Sequence, residues 1–338
     1  MSVFILLDRS QDNNDKKWLV EGLQQQCEQP VNPIYSRFTL SVMARKGPLG
    51  KLRVYMEVIS QSIRLLRKSK KNDIIICWFT LSIHILYPLA WLFRCKRYYL
   101  AMNWISPQAN SRLNWLKKRI VKNKMSKIIV NTPELIVSWE KILHHGRTEA
   151  FYCIPDVYDT RVSWREKTSH KKHHFFTGGM NNRDWRLISD LASKYPKINF
   201  VCCALKDDFN KKVKNVLPNM IVHFNIGATE YYKLLSESYA VLLPLCTKAV
   251  SGLINIIRSA QEGVLCLTSD TPATRQYYDY SNKDLLLPFD RTTWEAKIKE
   301  ILDMSEEEMS NRCRHFSSYI KNEFSPEKAV QKIISLFP

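Results

Sequence analysis

The chain has 338 residues, of which 45% are hydrophobic and 25% charged, a balance that excludes a disordered or fibrous protein and gives enough length for two domains. The formal net charge is +19, and it is uneven: residues 1–150 hold 25 Lys and Arg against 10 Asp and Glu (+15), the remainder 26 against 22 (+4). A basic first half beside a nearly balanced second half points to a polyanionic partner for the first: an anionic membrane surface, a nucleic acid or an acidic polymer.

Val3 to Leu7 reads as a first strand, with an apolar run too short for a signal peptide. A polar loop, Asp8 to Asp15, leads into a helix from about Lys16 to Cys27, and Asn32 to Phe38 reads as a second strand. Ala44 to Lys51 reads as a basic loop. The helix predicted for Leu52 to Lys68 spaces Leu52, Tyr55, Met56, Ile59, Ile63 and Leu66 on one face. Residues 45–71 hold nine basic residues and one acid, Glu57. Ile74 to Phe93 is twenty residues without a charge. Its length permits a membrane span, but the β-branched Ile74-Ile75-Ile76 favours a buried strand followed by a short helix interrupted by Pro88.

Residues 94–127 hold ten basic residues and no acid. Tyr98 to Met102 reads as a strand, Asn103 to Pro107 as a loop, and Ser111 to Lys124 as a basic amphipathic helix carrying Trp115. Such a helix suits either a membrane interface or a core with a solvated basic back. Lys127 to Val130 is a strand, Thr132 and Pro133 open a helix, and Phe151 to Ile154 is the last strand of this half. The polar stretch Pro155 to Lys172 reads as an interdomain linker.

His174 to Thr177 restarts the alternation. A loop, Gly178 to Asp184, precedes a helix from Trp185. Strands at Ile198–Cys203 and Met220–Phe224 alternate with helices at Asp207–Val216 and Thr229–Ser238. Val241 to Pro244 is a buried strand, Leu253 to Gln261 a helix closed by Gly263, and Val264 to Leu267 another strand. Leu285 to Pro288 is a final strand, followed by helices at 292–302, 305–316 and 325–337. The fold class is therefore α/β, with two doubly wound Rossmann-like domains and a cleft between them. The expected boundaries are 1–158, a linker at 159–172, 173–323, and a terminal helix at 324–338 returning to the first domain. The nine cysteines are scattered without a CxxC pair, which fits reduced core thiols.

The loop ending in Ser251-Gly252 enters a helix N-terminus. Unpaired N–H groups and the positive dipole end make such a place suited to phosphate; an ordinary N-cap without a ligand is the plainer alternative.

The second half resembles the nucleotide-sugar domain of the large retaining family of GT-B glycosyltransferases, the group that includes sucrose synthases and bacterial capsule, O-antigen and mannosyltransferases. Phe176-Thr177-Gly178-Gly179 with Arg183-Asp184 is similar to the family's first strand and glycine loop. Tyr231 to Pro244 is similar to the helix and strand before the donor loop, Ser251-Gly252 through Gly263 to the donor loop and helix, Thr271 to Tyr277 to a threonine-proline-glycine turn found in a subset of the family, and Ile154 to Asp159 to the end of the first domain. The likeness covers most of residues 150–338.

The resemblance implies a metal-independent hexosyltransferase with a UDP- or GDP-linked sugar as co-substrate and no cofactor. Donor contacts are expected from Gly178, Gly179, Arg183, Asn225, Gly227, Lys248, Ser251, Gly252, Leu253 and Arg258. Arg183 supplies a fixed fork-shaped cation for the leaving diphosphate, and glycines let backbone N–H groups approach it. The family's two glutamates fall near Val250 and Arg258, neither acidic, and arginine cannot accept hydrogen bonds from a ribose. Asn103 stands where a catalytic histidine is usual, so Asn103 and Arg183 are the catalytic candidates.

The acceptor is expected on the first domain, at Asp8, Asn13, His84 and Trp104, near strand C-termini. Its basic stretches, 45–71 and 94–127, would rest on an anionic membrane and present a lipid-linked saccharide, placing the protein on the cytoplasmic side of the cell membrane. A nucleic-acid-binding protein and a catalytically weak homologue that only binds a nucleotide or glycan are the alternatives. The first lacks a recognised nucleic-acid module.

Overall fold

The computed structural model describes residues 1–11, 16–92, 96–104, 114–143, 148–166, 174–179 and 181–338. The chain divides into two units, Met1–Pro155 with Pro326–Pro338, and Asp156–Ser325.

Unit 1 begins with β1 (Val3–Leu6), α1 (Lys17–Gln26), β2 (Val31–Ile34), α2 (Leu40–Ala44) and α3 (Gly47–Lys68). It continues through β3 (Ile74–Cys77), α4 (Thr80–Leu92), β4 (Tyr98–Ala101), α5 (Asn114–Lys122), β5 (Ser126–Val130), α6 (Pro133–Leu143) and β6 (Phe151–Cys153). The six strands form one parallel sheet in the order β2-β1-β3-β4-β5-β6. β1 and β3 are buried along their whole length, as parallel strands covered on both faces must be. The uncharged stretch after Asp73 thus divides into a strand and a helix, and no described helix is long and apolar enough to cross a membrane. Asp73 fixes the entrance to β3, accepting from Ser2 N at 2.8 Å and Lys70 N at 2.6 Å.

One feature of unit 1 differs from the sequence expectation, and another was left open by it. The basic loop at 44–51 is largely helical: α3 starts at Gly47, with Pro48 in its first turn, where a proline's missing N–H costs nothing. The apolar stripe on α3 also faces outward. Leu52, Tyr55, Met56, Ile59 and Ile63 are exposed, whereas Glu57, Gln61 and Ser62 are buried. Periodicity fixes which residues share a face, not which way the face turns. Hydrogen bonds decide the direction. Gln61 Nε2 donates to Leu7 O at 2.9 Å and Ile34 O at 3.3 Å, at the ends of β1 and β2. Glu57 accepts from Arg37 N and Arg64 Nη2, both at 3.2 Å.

Unit 2 runs through β7 (His174–Gly178), α7 (Trp185–Lys194), β8 (Asn199–Ala204), α8 (Lys206–Lys212), β9 (Met220–Phe224) and α9 (Ala228–Glu237). β10 (Ala240–Leu243), α10 (Leu253–Gln261), β11 (Leu265–Ser269), α11 (Pro272–Arg275), β12 (Leu286–Leu287), α12 (Arg291–Asp303) and α13 (Glu306–Glu323) complete it. The sheet is parallel in the order β12-β11-β10-β7-β8-β9. Residues leading into it are fastened to α10: Gln261 Nε2 donates to Asp159 O at 3.0 Å, and Arg165 N to Gln261 O at 2.9 Å. The last helix, α14 (Pro326–Ile334), packs on α1 of unit 1. The two meet closely at Gly22, where a Cβ would lie 2.7 Å from Val330 Cγ2.

Candidate functional site

In unit 2 the chain leaves β7 toward β8 on one side and later returns to add β10 on the other. β7 and β10 are paired neighbours, so their C-terminal loops diverge at the topological switch point. Open parallel sheets bind ligands there. The loop after β7 carries Gly178, Gly179 and Arg183; the loop after β10 carries Lys248, Ser251 and Gly252.

Arg183 joins the two loops. It is 3% exposed. Its Nε donates to Gly178 O at 2.8 Å, and its Nη1 to Asn181 O and Ser251 Oγ, both at 3.1 Å. Nη2 has no hydrogen-bond acceptor among the described residues, and no carboxylate there pairs with the guanidinium. Both glycines border that free end. A Cβ on Gly179 would lie 2.5 Å from Nη2, and one on Gly252 3.2 Å. The two positions also have φ of +140° and +81°, a region that side chains rarely adopt. Burial pushes the Arg183 pKa down, partly opposed by Tyr231 nearby. A buried cation without a counter-ion is costly, and an anion placed beside Nη2 would relieve that cost.

Other groups hold the loops in register. Asn182, at φ +59°, donates through Nδ2 to Thr247 O at 3.0 Å and accepts Thr247 N at 3.0 Å. Cys246 N donates to Asn182 O at 3.1 Å, and Asp184 N to Pro244 O at 2.9 Å. Asn255 on α10 donates to Gly178 O at 2.9 Å and Tyr231 O–H at 2.7 Å. Asn182, Asn255 and Tyr231 were not legible as site residues. Their contacts span 65, 77 and 24 positions of sequence, and no local motif encodes them. Leu253 opens α10, whose first internal donors are Asn255 N and Ile256 N, both to Gly252 O; Leu253 and Ile254 stand ahead of them, at the electropositive end.

Of the other expected donor residues, Lys248 is on one of these two loops, whereas Asn225, Gly227 and Arg258 are not. Lys248 is exposed on the second loop. Asn225, at φ +58°, and Gly227, the N-cap of α9, form the turn after β9. Arg258 lines a pocket of about 1020 Å³ with Asp159, Arg161, Thr229, Tyr232 and Glu262. Its guanidinium lies 4.6 Å above the Tyr232 ring and 2.7 Å from Glu262 Oε1. Glu262 also meets Arg165 at 3.2 Å, so its buried carboxylate is held between two arginines.

In unit 1, Asn103 follows β4 at φ +54°; its Nδ2 donates to Trp78 O at 3.2 Å, and its carbonyl accepts Thr80 Oγ1 at 2.9 Å. His84 meets Trp104 edge-on, with ring centroids 5.8 Å apart. Burial, helped by the Lys117 charge, lowers its pKa to about 4, so the ring is neutral at neutral pH. Trp104 is in the core, 4.9 Å from the Trp139 ring. Asp8 ends β1's loop side, its carbonyl accepting Leu40 N at 2.9 Å. Asn13 lies outside the described residues.

Neither a protein-family model nor a curated protein matches the chain. Solved structures do. Anabaena HepE in complex with UDP-glucose is 10% identical, with 99% of this chain and 98% of HepE covered at a TM-score of 0.68. A trehalose-6-phosphate synthase is 12% identical, with 99% and 98% covered at 0.68. A variant of S. aureus TarM in complex with UDP is 16% identical at 0.60, with 82% of this chain and 58% of TarM covered. The likeness is one of fold: this chain has the two Rossmann-like domains of the GT-B glycosyltransferases.

Proposed function

We propose that the chain is a glycosyltransferase, with unit 2 holding a UDP- or GDP-linked sugar and transferring that sugar to a saccharide acceptor held by unit 1. The observation that carries this reading is the Arg183 guanidinium: buried, fastened by Nε and Nη1, and with Nη2 lying beside two glycines and bound to no acceptor among the described residues. That HepE was solved with UDP-glucose, and TarM with UDP, supports the choice of ligand class.

In this reading the diphosphate sits across Gly179 and Gly252. Breaking the bond between the sugar and the distal phosphate leaves negative charge on the departing nucleoside diphosphate. Nη2 of Arg183 and the first N–H groups of α10 meet that charge without reorganising, which is the most effective form of electrostatic stabilisation. No metal or cofactor is assigned a role. Retention of anomeric configuration is part of the proposal. The acceptor is a lipid-linked saccharide of cell-surface polysaccharide synthesis, reached with the basic stretches 45–71 and 94–127 against the inner face of the membrane.

The test is thermal protection by UDP and GDP, followed by a turnover screen of nucleotide sugars. One nucleotide should raise the melting temperature, because a ligand that binds only the folded state stabilises it. Arg183→Lys should remove most of that rise, since a lysine cannot hold both loops and still present a planar fork. Protection by neither nucleotide, or protection unchanged by the substitution, overturns the reading. Protection without turnover of any sugar nucleotide would identify a binding homologue instead.

A further inference from the structure

The outward stripe of α3 is not used by the donor site. Leu49, Leu52, Tyr55, Met56, Ile59 and Ile63 are 39–74% exposed. The main line of the stripe, 49, 52, 56, 59 and 63, follows one face of a straight helix. The helix has 22 residues, about 33 Å at the α-helical rise. A soluble monomer rarely leaves so continuous an apolar surface uncovered.

The surroundings of the stripe identify its occupant. Lys51 flanks one side, and Arg53 and Arg67 flank the other, all exposed; Arg64, also on that side, is turned back to Glu57 at 3.2 Å. From residue 45 to 127 the only acids are Glu57 and Asp73, and both are buried. α3 packs on α4 and α4 on α5. The same helical layer also exposes Trp91, Leu92 and Trp115, with the Arg119 guanidinium 5.1 Å from the Trp91 ring.

We infer that α3 is an in-plane membrane helix whose apolar stripe inserts into the headgroup–acyl boundary of an anionic bilayer. Each feature has its counterpart there. Apolar side chains leave water, flanking lysine and arginine reach lipid phosphates, and tryptophan suits the interfacial zone. A second copy of this chain fits poorly, because a two-fold contact would set the acid-free, basic flanks against each other. A nucleic acid would satisfy the charges but leave the apolar residues without gain. The polar underside of α3, anchored by Gln61 and Glu57, is what holds the stripe outward before any lipid is met. The inference rests on the membrane contact of the proposed function and not on the donor site.

The experiment is co-sedimentation of the full chain with phosphatidylcholine vesicles, with and without phosphatidylglycerol, at low and high salt. The wild type should pellet with anionic vesicles, and salt should release only part of it. Leu52→Gln/Met56→Gln/Ile59→Gln should lower partition by roughly tenfold or more, while its circular dichroism and its UDP-induced melting shift stay those of the wild type. In Leu52→Trp, the new indole should shift its emission to the blue on vesicles and be quenched by brominated lipid. Wild-type partition in the triple-Gln variant, full release by salt, or a solution dimer that the triple-Gln variant dissociates would each overturn the inference. Failure of the donor reading shows separately, as missing nucleotide protection in a chain that still binds vesicles.

Discussion

Arg183 is held more firmly than a surface cation and less completely than a structural one. Three hydrogen bonds to Gly178, Asn181 and Ser251 fix its plane, and the remaining nitrogen has no acceptor among the described residues. Gly179 and Gly252 matter because they leave room beside it. Gly179→Ala places a Cβ 2.5 Å from Nη2 at a φ of +140°. It should cost about 1–3 kcal/mol of stability and abolish nucleotide protection in a melting assay. Gly227 provides the contrast. Nothing lies within 4 Å of its missing Cβ, and its φ is −71°. Gly227→Ser should therefore change stability by less than about 0.5 kcal/mol, serine being at least as good an N-cap. His84 allows a pH test. Its folded pKa, about 4, lies below the ordinary 6.5. The unfolded chain takes up a proton that the folded ring refuses, so this contribution is complete above about pH 6.5 and is lost as pH falls toward 4. Melting curves at pH 7 and about pH 5 should show His84→Gln losing less stability than the wild type, by roughly 1 kcal/mol per pH unit. An equal loss in both proteins would contradict a neutral buried ring.

At the scale of elements, the two loops of unit 2 act as one part because Asn182 closes them together. Its left-handed backbone and its amide are separable. Asn182→Gly keeps a φ of +59° accessible and removes the bonds to Thr247. Stability should fall by about 1–2 kcal/mol, and nucleotide affinity should fall more than stability does, measured by calorimetry beside chemical denaturation. That Gly178, Gly179, Arg183 and the entrance to α10 stand between a buried strand and a helix was legible in the sequence, because such a loop leaves a local pattern; that they form a binding site is part of the proposal. Asn182, Asn255 and Tyr231 were not legible, since their partners stand far away in the chain. α3 teaches the same limit differently. Its apolar stripe was legible, but its direction was set by Gln61 reaching carbonyls at Leu7 and Ile34. Nothing in residues 47–68 encodes those acceptors. The basic segment at its start also read as a loop, because Gly47, Pro48 and Gly50 are poor helix formers in an interior, yet the first turn tolerates them.

For the whole molecule, alternation of apolar runs with helical periodicity was enough to give two parallel α/β sheets, since buried parallel strands read as unbroken β-branched and aliphatic stretches. Strand order was beyond it. That β10 lies beside β7, bringing residues 178–183 and 248–252 into one place, follows from connection handedness and packing over the full unit. Where the family resemblance implies two glutamates, this chain has Val250 and Arg258, and the Glu262 carboxylate beside Arg258 is locked between Arg258 and Arg165; under the proposed function, a ribose would have to be held by other groups. The decisive measurement is a crystal structure of the chain with UDP or a UDP-sugar, or with the GDP counterpart if that nucleotide protects. The diphosphate should lie across Gly179 and Gly252, with a phosphate oxygen accepting from Arg183 Nη2. A nucleotide bound elsewhere, with Nη2 still without a phosphate, would contradict that placement.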